Sequence, residues 1–405
     1  MSEAPPLSLY HLLDPEVLAD PYPLYQRLRE EAPIHWDPYL HAWIVTRYAD
    51  VSQVFHTFLA ARTPSPERLE ALGMGALTPI AALMVRQMLF LDPPDHGRVR
   101  RLAAAAFTPR RIAHLREHID AIAQCLVGEL EGAERFDVMG IANTLPAIVT
   151  AEMLGVPTSD HELLKNWSAD FAEMLGNFQH NPGRARKTLR SVEEMVEYFR
   201  AAVAREGDYP TDGLIHALVE AEVDGDRFTE EEIVANVIVT MVGGQETTTN
   251  LIGNGLLTLL RRPEQLARLR AEPALKTSAV EELLRYESPS QHTARLAPPG
   301  AVLGGQEIPE GNAVIAVMGA ANRDPERFTE PDELDLGRED NRHLAFGWAS
   351  HFCFGAPLAR MEGQIVFETL LSRFSELSLA PDQEIRWRPN LGLRGLTELH
   401  VLTTA

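Results

Sequence analysis

The stretch "FGWASHFCFGAPLAR", residues 346–360, decides how the rest of the chain is read. It is a glycine-punctuated loop that runs into a helical segment beginning near Pro357, and it holds Cys353, one of two cysteines in 405 residues. A lone cysteine just ahead of a helix turns its sulfur toward the first unpaired backbone N–H groups, whose positive end favours thiolate over thiol. Cys353 is thus a ready soft anionic ligand. The other cysteine, Cys125, lies in the helical pattern "AIAQCLVGEL" and reads as a small buried hydrophobe. A zinc site built on His351 and Cys353 would lack two of its four ligands.

Outward from this loop, the most regular helix begins after Thr229. Thr229 and Glu232 form a Thr-x-x-Glu capping box, and Pro263 ends the pattern after Arg261 and Arg262. About 33 residues at about 1.5 Å each span on the order of 50 Å, so this helix must cross the core. Its middle reads "GGQETTTN" (243–250), with two glycines and a polar run where a buried helix should be apolar. Such a breach of local rules points to a functional site. Gly243 and Gly244 remove side-chain bulk and let a flat cofactor or small ligand approach the backbone, while Thr247 can turn its hydroxyl to a carbonyl one turn back. Glu246 beside Thr247 supplies an acid next to an alcohol, a pair suited to relaying protons. Close helix packing at Gly-Gly with a capped polar bend fits the same letters.

Two further groupings have the right spacing for charge work. Glu282 and Arg285 in "EELLR" stand at i, i+3 on one helix face, a common pairing that carries little information alone. In "DPPDHGRVR" (92–100) two prolines open a helix that sets His96 and Arg100 at i, i+4, a two-pronged grip for a carboxylate. Arg295 and His351 could add donors of the same kind.

Composition bounds the alternatives. With 45% hydrophobic residues the chain can bury an extensive core, and the absence of repeats, low-complexity stretches and Ser/Gly linkers predicts one domain over 1–405. Helical patterning dominates, with short strand signals at 34–36, 43–46, 300–316 and 392–403, which predicts a mainly α fold with a minor β region. Two cysteines make no disulfide framework. Acids at Glu3, Asp14 and Glu16, and no apolar run near the N-terminus, predict neither a signal peptide nor a membrane anchor and a cytoplasmic location. A formal net charge of −21 argues against nucleic acid or an anionic membrane as partner. One segment opposes that sign: Arg98, Arg100, Arg101, Arg110, Arg111 and Arg116 occur without an intervening acid, either as a docking patch for a small acidic protein or as a solvated helix face.

These residues resemble those of a known family. "GGQETT" (243–248), "ELLR" (282–285), "RDPERFTEPDELDLGR" (323–338) and "FGWASHFCFG" (346–355) stand in the order found in bacterial cytochromes P-450, the haem-thiolate monooxygenases. The similarity extends from "DPYPLYQRLREEAPI" near the N-terminus to "LRGLTELHV" near the C-terminus. The resemblance implies a cytochrome P-450 fold whose long central helix crosses over haem b, with Cys353 as the proximal thiolate ligand of its iron. Gly355 would leave room for backbone amides at the sulfur, Gly244 would lie against the cofactor, and His96, Arg100, Arg295 and His351 would hold the propionates. Glu246 and Thr247 would be the acid–alcohol pair serving dioxygen. Glu282 and Arg285 would form an ion-pair network with Arg338. Aligned from "RDP", the family's third arginine falls on Arg338, and Arg327 of "PERF" becomes a decoy.

The resemblance also implies the reaction, insertion of one oxygen atom of dioxygen into a C–H bond. No dinucleotide fingerprint and no cysteine cluster for iron–sulfur are present, so electrons would come from separate proteins, a ferredoxin and its reductase, docking near the arginine segment. Substrate walls would come from the segment after Ala61, from 177–186, from Val239, Val242 and Gly243, from the strand at 291–294 with Gln291, and from Leu393. Those mostly apolar or small residues favour a fatty acid, terpenoid, steroid or polyketide, and the loop 176–184 is consistent with a lid. Desaturation, oxidative coupling, peroxide-driven chemistry or a non-catalytic haem sensor are the alternatives. The presence of Glu246 and Thr247 favours the enzyme over the sensor. One position departs from the family: Ala349 stands where the haem loop usually has Gly. A positive φ there would cost roughly 1–2 kcal/mol.

Overall fold

The long helix forms as its letters require. In the computed structural model, which describes residues 7–176, 182–208 and 213–404, the Glu232 N–H donates to Thr229 Oγ1 at 3.2 Å and the Thr229 N–H donates to Glu232 Oε2 at 2.9 Å. Both arms of the capping box are closed. The helix then runs unbroken from Glu230 to Leu260, 31 residues, and Arg261 caps it.

The helices that carry the site are, in chain order, α1 (Asp95–Ala106), α2 (Pro109–Gly128), α3 (Val138–Leu154), α4 (His161–Gly176), α5 (Pro182–Ala204), α6 (Glu230–Leu260), α7 (Lys276–Tyr286) and α8 (Ala356–Arg373). Helix α6 is buried along nearly its whole length and packs against α3, α4, α5, α7 and α8 at once. Its apolar residues belong to one large core cluster shared with those neighbours. An all-round apolar helix can lie only in the interior.

About 59% of the described residues are helical, and the strands are few and short. Besides two two-stranded hairpins, Glu222–Val223 with Asp226–Arg227 and Val302–Leu303 with Gln306–Glu307, the strands of the two larger sheets are β1 (Ile34–Asp37), β2 (Ala42–Val45), β3 (Arg135–Asp137), β4 (Thr293–Leu296), β5 (Ala313–Ala316), β6 (Glu376–Leu379) and β7 (His400–Thr404). One sheet has the order β1-β2-β5-β4, with β2 and β5 parallel, in the register Trp43 to Val314 and Ile44 to Ile315. The other, β6-β7-β3, is antiparallel throughout. The first sheet covers two smaller apolar clusters and delivers β4, with Arg295, to the rim of the site.

The mainly α expectation holds, with local corrections. The signal at 300–316 divides into a small hairpin, Val302–Leu303 with Gln306–Glu307, and strand β5, because Gly304 and Gly305 both take positive φ. Of 392–403 only the end, from His400, is strand. Earlier residues make isolated bridges, Leu393 to Ser290 and Leu396 to Trp387. Strands β3 and β6 had no signal, since three or four residues hold too few alternations to register. Cys125 is exposed, not buried. On α2 the buried face is Ile119, Ala123 and Val127, spaced by four, and a residue midway between the last two falls on the opposite side. Among the described residues no helix is long and apolar enough to cross a membrane.

Candidate active site

The loop ahead of α8 is shaped by two left-handed residues, Gly347 at φ 69° and Ala349 at φ 58°. The sequence-based condition on Ala349 is therefore met, and a Cβ stands where glycine would be unstrained. The turn brings the Cys353 N–H to within 2.8 Å of Phe346 O. At the sulfur, burial pushes the thiol up, and the backbone amides of Gly355 and Ala356, with Arg100 and Arg360, pull it back. The helix-terminus effect is present, but burial outweighs it, and a cation at the sulfur is what would favour the thiolate.

Cys353 opens onto a cavity of about 330 Å³. The opposite wall is α6, through Val239, Gly243, Gly244, Thr247 and Thr248. A Cβ added at Gly243 would meet nothing within 4 Å, whereas one at Gly253 or Gly255 farther along α6 would come within 2.7 Å of Met139 Sδ or 2.6 Å of Phe367 Cζ. The first glycine faces open space and the later two serve close packing. At Gly244 an added Cβ would stand 3.4 Å from Thr150 Oγ1. Thr247 Oγ1 donates to Gly243 O at 2.8 Å, one turn back. Gly355 lines the Cys353 side, and an added Cβ there also meets nothing within 4 Å.

Glu246 does not share this wall. Consecutive helical residues point about 100° apart, and the Glu246 carboxylate turns instead to Arg388, whose Nη1 donates to Oε2 at 2.6 Å. Arg388 also donates to Leu396 O and Asn143 Oδ1, at 3.1 and 3.4 Å. Sequence reasoning missed Arg388 because it lies 142 residues away with no motif around it.

Basic groups gather at one edge of the cavity. His96 and His351 stack with ring centroids 4.0 Å apart, and the Nε2 of each is buried without a partner, as is Arg295 Nε. Arg100 Nη2 donates to Phe352 O at 2.8 Å, with its guanidinium over the Phe354 ring. Asp92 is the nearby acid, but its two oxygens accept from the Ala60 and Ala61 amides, each at 2.9 Å. Burial first and neighbouring cations second push His351 down to about 3, and burial pushes Arg295 down to about 10. Two arginines and two imidazoles gathered at one edge, with buried orphan nitrogens, are built to donate to anions that arrive from outside the chain.

Behind Cys353 the Glu282 carboxylate is fully buried and collects Arg285 Nε and Nη2, both at 2.8 Å, Arg338 Nε at 3.1 Å, Asn341 Nδ2 at 3.0 Å and the Asp335 amide at 3.0 Å. Arg327 pairs instead with Asp340 on the surface, at 2.7 and 2.9 Å. Val239 and Gly243 are the expected pocket residues that reach the cavity. Val242 is buried in the helical core, Leu393 packs against that core, and Gln291 donates to Ser288 O at 2.7 Å, so its neighbours Ser290 and Thr293 line the wall in its place. Met88, Leu89, Phe107 and Met318 complete the apolar lining and were missed, being ordinary core letters in sequence. Of the expected wall and lid at 176–186, positions 177–181 lie outside the described residues.

The sequence model of the cytochrome P-450 family matches residues 76–397. The chain belongs to the cytochrome P-450 family. It is 38% identical over 390 residues to the biotin biosynthesis cytochrome P-450 of Bacillus subtilis, covering 95% of this chain and 97% of that protein. It is 36% identical over 404 residues to the polyketide biosynthesis cytochrome P-450 PksS of the same organism, covering 97% and 98%. Among solved structures, a cytochrome P-450 in complex with acyl carrier protein ligated to hexadec-9Z-enoic acid superposes with a TM-score of 0.90 at 35% identity, covering 96% of this chain and 99% of that one. The protein is thus a cytochrome P-450 of the monooxygenase family, an oxidoreductase, and its fold is the family's. Membership implies haem with a cysteine thiolate ligand, and the residues present fit it: a sulfur on one wall, a side-chain-free stretch of helix lining the same cavity, and buried orphan nitrogens of His96, His351 and Arg295 at one edge for two carboxylates.

Proposed function

We propose that Cys353 is the thiolate ligand of haem b iron, and that the enzyme inserts one oxygen atom of dioxygen into a C–H bond of a hydrophobic small molecule. Electrons come from a separate ferredoxin and ferredoxin reductase, and residues 1–405 act as one catalytic unit. The observation that carries this reading is that Cys353 and Thr247 line one cavity, with buried, unpartnered nitrogens of His96, His351 and Arg295 beside it. Haem, when bound, would supply oxygen activation, and the Cys353 thiolate would donate electron density that favours O–O cleavage.

The chain's own residues do the rest. The Gly355 and Ala356 amides hold the sulfur in place, His96, Arg100, Arg295 and His351 take the propionates, and Gly243 and Gly244 leave a face flat enough for the ring. Thr247 gives its own proton to Gly243 O, so its oxygen lone pairs face the cavity and can accept from water or a protonated group. Glu246, the neighbouring acid, is held by the partly exposed Arg388, and it can pass a proton toward Thr247 only after that pair opens and the carboxylate turns from Arg388. Met88, Leu89, Phe107, Val239 and Met318 give the cavity an apolar lining that excludes water. The relatives named for biotin and polyketide biosynthesis, and the one solved with a fatty acyl carrier protein, agree with an apolar, chain-like substrate.

Reduction under carbon monoxide tests the ligand: the holoenzyme should show the red-shifted Soret band of a thiolate complex, and Cys353→Ser should lose it. Persistence of the band in the serine variant would sink the assignment. Thr247→Ala should leave electron uptake intact while product per electron pair falls and peroxide rises, measured by parallel product and peroxide assays. Titration with lipophilic compounds, followed by the haem spin state, identifies the substrate class.

A further inference from the structure

Beside the buried Glu282 stands a second glutamate that no motif assigned. Glu281 lies on α7, and its carboxylate is gripped in fork geometry by Arg360 of α8, Nε to Oε1 at 2.6 Å and Nη2 to Oε2 at 2.7 Å. Its Oε2 also meets His343 Nε2 at 3.3 Å. His343 Nδ1 accepts the Ala345 N–H at 3.2 Å, so the ring proton sits on Nε2 and points at the carboxylate. His343 is buried, with Glu281 and Arg360 only partly exposed. The other face of the Arg360 guanidinium lies over the Phe346 ring, 4.6 Å from its centroid. Phe346 is the residue whose carbonyl accepts the Cys353 N–H. One carboxylate therefore joins α7, α8 and both ends of the 343–346 segment that leads into the cysteine loop.

We propose that Glu281 is a positioning residue for the Cys353 thiolate: it gathers Arg360 and His343 into a clasp that holds Phe346 against the cysteine. The inference rests on Cys353 being the iron ligand. A bidentate arginine–carboxylate pair fixes a plane as well as a distance, which a lone arginine reaching into solvent does not. Arg360 keeps its plane against the Phe346 ring, and so the Phe346 carbonyl against the Cys353 N–H, only while its guanidinium is held. The two adjacent glutamates divide the work: Glu282 closes the network toward Arg338, and Glu281 faces the cysteine loop.

The test is spectroscopic and uses the holoenzyme. Glu281→Gln, reduced under carbon monoxide, should convert from the red-shifted thiolate form to the shorter-wavelength thiol form several-fold faster than the parent, and Glu281→Asp should recover part of the difference. Arg360→Lys, which keeps the charge and loses the fork, should share the defect. His343→Gln removes one arm while leaving the arginine pair, and should give a smaller change in the same direction should Glu281→Gln fail to fold. A variant that melts earlier yet converts at the parent rate would reduce Glu281 to a structural role and overturn the proposal, as would parental behaviour throughout. Absence of the thiolate band in the parent is a different result: it removes the ligand assignment itself, before any variant is compared.

Discussion

At Ala349 the backbone sits at φ 58°, a conformation that costs an L-residue roughly 1–2 kcal/mol and glycine almost nothing. Ala349→Gly should raise Tm, by up to about 1 kcal/mol of stability once glycine's greater unfolded-state entropy is set against the relief; a calorimetric Tm equal to or below the parent's would contradict this. Glu362 of α8 is a second strained choice. It is 2% exposed, its Oε2 has no partner, and it is the one carboxyl among the described residues lining the cavity. Burial alone pushes it well above the usual carboxylate range. A group raised in the folded state adds stability below its unfolded value, and that contribution disappears as pH climbs toward the folded value. Glu362→Gln should therefore gain Tm relative to the parent as pH rises from about 5 to about 8, and a gap that stays flat would show the acid to be ionised or solvated. Neither residue's state was legible from its letter: Ala349 was legible as a departure, Glu362 not at all, because burial and partners belong to the folded chain.

At the scale of elements, α7 shows how a weak sequence signal becomes strong in three dimensions. Glu282 and Arg285 at i, i+3 look like any surface pair, yet both side chains are fully buried, and Arg285 also donates to the carbonyls of Asn322, Pro331 and Glu333. Removing one partner of a buried pair leaves the other uncompensated, at about 3–5 kcal/mol. Glu282→Gln should lower Tm severely and release haem on gel filtration, and a variant that retains haem and melts like the parent would show that Arg285 finds other acceptors. Helix α6 makes the opposite point. Its length, cap and stop were readable to within a residue or two, as was the polar interruption at its middle. The glycines in that interruption could equally have been packing glycines, and only the empty space beyond Gly243 distinguishes them from Gly253 and Gly255.

Across the whole molecule, a net charge of −21 surrounds one basic segment. Folding sorts its six arginines: Arg98 pairs with Glu232 and Asp226, Arg100 turns into the cavity, Arg111 donates to Gly213 O, and Arg101, Arg110 and Arg116 remain exposed, without an ion pair among the described residues. The acid-paired reading of that segment is thus met at Arg98. The exposed remainder lies on α1 and α2, next to the Cys353 loop that Arg100 contacts. Reversing Arg110 and Arg116 to Glu should raise the ferredoxin concentration needed for half-maximal haem reduction and flatten its salt dependence while the carbonyl spectrum stays unchanged. Unaltered reduction kinetics at low salt would place docking elsewhere.

What the sequence by itself determined is local or motif-bound: the mainly helical class, the capped helix α6, the cysteine at a helix start, the four family motifs, and Arg338 over Arg327 as the third member of the network around Glu282. Each is carried by spacing along the chain, which backbone periodicity and hydrogen-bond reach translate directly into structure. Only the tertiary structure decided which way neighbouring residues face across long separations. It turned Glu246 to Arg388 and away from Thr247, withdrew Val242, Gln291 and Leu393 from the cavity, exposed Cys125, and joined Glu281 to Arg360 and His343. Those outcomes depend on burial and on partners brought together by packing, and neither is written in the spacing of letters.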